Sequence, residues 1–300
     1  WNDRYRDSVR RFWLTDIATA RNSGRHDNGV AELATRLAGS RDIVDGPSGP
    51  LGGINFITAH DGFCLHDLVT YNVKHNQMNG EGNRDGNNNN YSFNHGAEGE
   101  VSDVAINIQR RRAERNMMAT LMLSAGIPMV TAGDEVSKTQ LGNNNAYCQD
   151  STLSWVNWNL HPHQQELKQT FAYLSRMRRE NGSLRQPNFG NFDEAQVGSD
   201  MVKWFSETGQ ILTEDQWNNA QQRTIMRLVS HINTDGSLNT TLLVIHGAET
   251  EIEITLPETA HDWHVLWDSS KEVPPAKTQK LKTEARVKMG PTSMLLLRAD

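Results

Sequence analysis

The sequence predicts an α/β portion followed by an all-β portion, with the change near residue 186. Three observations carry this. Helix-period stretches alternate with short apolar runs through about residue 185. From about Gln186, short β-prone runs follow one another without helices, separated by Gly, Asn, Asp and Pro. Between these patterns, Ile54, Phe56 and Ile57 form an apolar run bounded by GPSGPLGG and ending in His60-Asp61-Gly62. That run reads as a buried strand delivering an imidazole and a carboxylate at its C-terminal tip.

Taken in order, WNDRYRDSVRRFWLTDIATA places Val9, Phe12, Trp13 and Ile17 at helical spacing with Arg and Asp between them, which predicts an amphipathic helix entered through Trp1-Asn2-Asp3. GVAELATRLAG puts Val30, Leu33 and Leu37 on one face and stops at Gly39. After the central strand, CLHDLV suggests a short helix, and spacing alone allows Asp61 to be its N-cap with His60 a turn residue. Residues 72–103 are polar and include NGEGNRDGNNNNYSFNHGAEGE; loops of such length are either functional or disordered. Their Asn side chains offer donors and acceptors without adding charge. Asp85, Asn87 and Asn89 alternate as in a calcium loop, but Asn90 and Gly96 stand where Gly and Glu are needed, so no metal site is expected.

A helix is predicted over 105–125, with Ile106, Arg110, Ala113, Met117, Leu121 and Ser124 recurring at three or four and with Arg111, Arg112 and Arg115 on a solvated face. Gly126-Ile127-Pro128 should end it, and MVTAGDE should be the next strand, closing on Asp134-Glu135. In the following Asn-rich turn, Tyr147, Trp155 and Trp158 could serve as apolar platforms for a ligand, and core packing is equally open to both tryptophans. HPHQQELKQTFAYLSRMRREN reads as a helix with Leu167, Phe171, Leu174 and Arg178 in register, closed by Asn181-Gly182. MVKWF, RTIMRLVSHI, TTLLVIHG, TEIEITLP, HDWHVLWD and TSMLLLR then suggest an antiparallel sandwich of roughly 100 residues.

Three hundred residues with 36% apolar content can bury a sizeable core. The net charge of -6 is spread along the chain, so neither nucleic acid nor an anionic membrane is an expected partner, and a neutral, hydroxyl-rich substrate fits better. Two distant cysteines, Cys64 and Cys148, argue against a disulfide framework or zinc and for a reducing, cytoplasmic setting. No apolar run approaches a membrane span of about 18 residues.

INFITAHDGF resembles the strand-7 motif of the α-amylase clan of glycoside hydrolases, and NGEGNRDGNNNNYSFNHGAEG with GNNNAYCQD narrows the resemblance to its glycogen-debranching and isoamylase branch. The resemblance implies that residues 1–185 are the C-terminal part of a (β/α)8 TIM barrel, from the end of strand 6 through helix 8, and that 186–300 form a C-terminal antiparallel β-sandwich domain. Such barrels keep their chemistry at the C-terminal ends of their strands. It further implies that Asp61 is one of three catalytic acids and that His60 binds the sugar. Asn145 and Tyr147 are the substrate-binding candidates of the second Asn-rich turn, and Glu135 is assigned a structural role at the end of strand 8. The implied substrate is a branched α-glucan, glycogen or limit dextrin, cleaved at α-1,6 linkages with retention and without a cofactor.

Retention requires two carboxyl groups roughly 5 Å apart, one nucleophile and one acid/base. In the family these follow strands 4 and 5, and no stretch here resembles that wording; Asp16 merely follows an apolar helical face. The chain alone is therefore expected to be inactive. Its exposed strand edges should make it associate, fold poorly or need the rest of the barrel. Two other readings stay open: a noncatalytic α-glucan-binding or scaffold module, and a different amylase-clan activity on α-1,4 linkages.

Overall fold

The computed structural model describes residues 1–299. In chain order the helical half comprises α1 (Asp3–Arg10), a π turn (Arg11–Thr15), α2 (Asp16–Ser23), α3 (Ala31–Leu37), β1 (Ile54–Phe56), α4 (Leu65–Thr70), α5 (Val104–Leu123), β2 (Ile127–Met129) and α6 (Pro162–Glu180). The remainder comprises β3 (Met201–Phe205), α7 (Glu214–Trp217), β4 (Thr224–Ile232), β5 (Leu238–His246), β6 (Ile252–Thr255), β7 (Trp263–Asp268), β8 (Gln279–Leu281), β9 (Arg286–Met289) and β10 (Ser293–Ala299).

The first predicted helix runs through a π turn in which the Asp16 N–H donates to Arg11 O, five residues back. The extra residue per turn lets Phe12, Trp13 and Leu14 all be buried consecutively. Trp13 donates to Thr120 Oγ1 on α5 at 2.9 Å, while Phe12 lies under the Arg223 guanidinium, 3.8 Å from its ring centre. Arg223 also pairs with Asp16 at 3.4 Å, which makes Asp16 a structural anion whose pKa is raised by burial.

β1 and β2 pair in parallel, Ile54 opposite Ile127, and Asn2 bridges Asn55 in parallel on the other side of β1. The second strand differs from expectation. It is Ile127-Pro128-Met129, because α5 stops at Ser124 and Gly126 turns the chain at φ +107°, where a Cβ would lie 2.8 Å from Asn55 Nδ2. Pro128 is tolerated because β2 has one strand partner, leaving an edge that needs no N–H. Asp134 and Glu135 then fall in a single helical turn, not a strand. The structural carboxylate there is Asp134, with Glu135 closing its own turn through the Gly133 N–H at 2.8 Å. Asp134 accepts from the Leu65 N–H at 2.9 Å and from Thr58 Oγ1, and burial raises its pKa to about 6. It is thus Asp134, not Asp61, that satisfies the start of α4.

The arginines of α5 are also corrected. Arg115 donates to Ser269 O at 3.1 Å and Arg112 to Pro291 O at 2.9 Å, and Arg111 lies 4.0 Å from Glu272. This face is covered by the loops flanking β7 and β10, whose free carbonyls suit guanidinium donors. The solvated face is thus reduced to Arg111, which stays partly exposed beside the exposed Glu272, while Arg112 is half-buried and Arg115 buried.

The β half forms one antiparallel sheet in the order β3-β4-β5-β10-β7-β8, with a separate β6-β9 ribbon. β8, β9 and α7 were not legible in the sequence. One face of the sheet, with Ile225, Leu243, Ile245, Met294 and Leu296, joins the core of the helical half. The other, with Met226, Leu242, Val244, Leu295 and Leu297, packs against Ile254 and Met289 of the ribbon. Burial on both faces explains why TTLLVI and MLLL read as continuous apolar runs. Cys64 is buried, Cys148 is exposed, and both are free thiols.

Between α4 and α5, His66 Nδ1 meets Glu114 at 3.0 Å and Ser137 Oγ at 2.8 Å, and its Nε2 meets Glu100 at 2.7 Å. Burial alone would lower its pKa, but the bonds to Glu100 and Glu114 outweigh it and lift it to about 10. A histidine pKa raised on folding contributes stability in full below its ordinary value of about 6.5, and that contribution fades as pH climbs to about 10. The stability gap between wild type and His66→Gln, followed by urea unfolding, is therefore expected to shrink across that window; a gap independent of pH would refute the assignment.

Candidate active site

The tip of β1 opens into a cleft of about 370 Å³. Its walls come from α1 (Arg6, Asp7, Arg10), from the residues after β1 (Ala59, Asp61, Gly62) and from both Asn-rich segments (Gly86, Asn87, Asn89, Asn90, Tyr91, Asn144, Asn145). Of the residues singled out in the sequence, Asp61 and Asn145 meet here. His60 is exposed beside the cleft with its ring edge-on to Trp1, centroids 5.9 Å apart. Tyr147 is 83% exposed and does not line the cleft.

Local chemistry fixes the walls. Arg10 is buried; its Nε donates to Ile57 O at 2.8 Å and its Nη1 to Asn90 O at 3.1 Å, stapling the strand end to the first Asn-rich loop. Burial lowers its pKa to about 10, and Asp61 is among the carboxylates that partly offset this. Arg6 is held charged by its 2.7 Å bond to Asp7, with a further contribution from Asp61. Asp61 therefore faces two guanidinium charges across a polar cleft. Arg6, Asp7 and Arg10 were missed because RDSVRR reads as the polar face of a helix; the signal present was Arg6 and Arg10 one turn apart beside buried Val9.

Most asparagines brace the two loops to each other. Asn76 and Asn144 exchange bonds, Nδ2 to Oδ1 at 2.8 Å and Asn144 N–H to Asn76 Oδ1 at 2.9 Å. Asp85 accepts from Asn79 at 2.7 Å and Asn145 at 2.9 Å, and these bonds hold its pKa below the usual carboxylate range. The Asn144 carbonyl accepts from the Gly62 N–H at 2.9 Å, tying the brace to the residue after Asp61. Arg110 fastens the rest of the long loop through the carbonyls of Asn94, Ala97 and Gly99. Trp155 and Trp158 are 57% and 67% exposed, so neither is a core residue.

The chain shares the fold of the corresponding part of pullulanases: it matches the type I pullulanase of Bacillus subtilis strain 168, solved with maltose, at a TM-score of 0.64 and 17% identity, over all of this chain and 35% of that one. No family model matches the chain. By sequence it belongs to the glycogen debranching enzyme family. It is 39% identical over 285 residues to the glycogen debranching enzyme of Serratia proteamaculans and 42% identical over 224 residues to that of Pectobacterium atrosepticum. These alignments take in 93% and 74% of this chain but 39% and 32% of the relatives, so the chain spans well under half their length. Among the described residues, no helix is long and apolar enough to cross a membrane.

Proposed function

We propose that the chain furnishes part of the active site of a debranching glycosidase that hydrolyses α-1,6 branch linkages of glycogen or limit dextrin with retention. In this reading residues 1–185 are the C-terminal part of a (β/α)8 barrel and 186–300 its β-sandwich domain. The observation that supports it most is the polar cleft at the C-terminal end of parallel strand β1, where Asp61 faces Arg6 and Arg10 beside the amide of Asn145. Asp61 is the third carboxylate, accepting hydrogen bonds from hydroxyls of the distorted sugar and stabilising the positive charge that develops on it. His60 contacts the same sugar, Asn145 binds it from the opposite wall, and Tyr147 meets a more distant part of the glucan. The nucleophile and acid/base belong to polypeptide outside these 300 residues, in a protein of the cytoplasm.

The test is reducing-end release from phosphorylase-trimmed glycogen, by the 300-residue chain alone and by a chimera joining it to the remaining length of the Serratia relative. The chain alone should release nothing and the chimera should be active. Release by the chain alone would overturn the assignment of the missing carboxylates, and a folded chimera inert on α-1,6 linkages would overturn the function. In the active chimera His60→Ala should lower kcat/KM about tenfold, the loss of roughly one hydrogen bond in the transition state. An unchanged kcat/KM would remove His60 from the sugar site.

A further inference from the structure

A second, larger cleft of about 910 Å³ shares no lining residue with the Asp61 cleft. Its rim carries Trp155 and Trp158, more than half exposed. Trp155 Nε1 donates to Asp150 at 3.0 Å, which holds that ring, and Lys168 Nζ stands 6.0 Å from the ring centre of Trp158. The floor is polar. Ser137 is buried and donates to Glu114 at 2.7 Å, while His66, gripped by Glu100 and Glu114, presents a fixed charge with Glu100 half exposed beside it.

The geometry points to a noncatalytic binding site for a linear α-glucan segment on this cleft, resting on the reading that the substrate is a branched α-glucan. A pyranose ring offers an apolar C–H face to a tryptophan and a rim of hydroxyls to charged groups, and this cleft offers both complements at once. The apolar face of a protein helix would cover the tryptophans but bring no donor to the half-exposed Glu100 carboxylate, which pairs with His66 through one oxygen. The volume lies at the upper end of small-ligand pockets, with room for more than one sugar ring, and the Trp155 ring, held by Asp150, loses little freedom on binding. Glycogen carries many chains on one particle, so a site remote from Asp61 raises the local concentration of branch points at the catalytic cleft.

The probe is soluble glycogen in native gels, with the 300-residue chain as wild type, Asp61→Asn, Trp158→Phe and the double variant Trp155→Ala/Trp158→Ala. Wild type, Asp61→Asn and Trp158→Phe should all be retarded, and the double variant should bind about tenfold more weakly. In the chimera, the double variant should raise KM for glycogen about three- to tenfold while leaving kcat, and all kinetics on a short branched oligosaccharide, unchanged. Equal mobility of wild type and double variant in glycogen would overturn the site, as would a double variant that changes only self-association or that loses activity on the short substrate. A chimera without hydrolytic activity, together with Trp-dependent retardation, would sink the proposed activity and leave this site standing.

Discussion

Asp61→Asn in the active chimera is expected to lower turnover on phosphorylase-trimmed glycogen by about 10²- to 10³-fold, the range for removing a preorganised electrostatic contact to a charged transition state. Asparagine keeps the shape and one acceptor but deletes the negative charge that answers a developing oxocarbenium ion. KM should change little, because the lost interaction strengthens only as charge develops. Folding should be nearly unaffected, since Asp61 is exposed and the start of α4 is capped by Asp134. Matching thermal melts with a collapsed kcat would support the role; a rate near wild type would end it.

Arg178→Met should produce the largest loss of stability, about 3–5 kcal/mol, or a fall in Tm of about 10 °C. The buried Arg178 guanidinium donates to Met122 O at 2.9 Å, Ser124 O at 2.7 Å, Leu184 O at 3.0 Å and Gly126 O at 2.5 Å. The carbonyls of Met122, Ser124 and Gly126 lie at and just beyond the end of α5, where the helix supplies no further donors and a positive charge also answers the helix dipole, and that of Leu184 lies in the turn after α6. Methionine matches the length but donates nothing, stranding several buried acceptors at once. Arg178→Lys should fall between, because one ammonium cannot span the same carbonyls as the planar fork. Chemical denaturation reads both, and a loss under about 1 kcal/mol for the methionine variant would show that water replaces the guanidinium.

Wherever one side chain's period or one turn's chemistry sufficed, the structure was legible. The helical spacing of Val9, Phe12, Trp13 and Ile17 located the first helix, and INF with its following HDG located β1 and the carboxylate at its tip. All six β-prone runs after residue 186 became strands. The short strands β8 and β9 were not legible, since QKL has no apolar alternation and RVKM alternates over only four residues, too short to separate from a turn, and both pair with β7 and β6. The arginine run of α5 is solvated only at Arg111 for a related reason: sequence periodicity tells which residues share a face, not which element covers it.

The sequence by itself determined the family, the change from helix-bearing to strand-rich texture near residue 186 and the strand that leads into His60 and Asp61, because those follow from local wording and local periodicity. Only the tertiary structure decided that Arg6 and Arg10 line the same cleft as Asp61, that the asparagines chiefly brace two loops, and that Trp155 and Trp158 lie open over a polar floor. These are contacts between residues tens of positions apart, and their partners are chosen by packing, by the need to satisfy buried donors and acceptors, and by the field of charges brought together on folding.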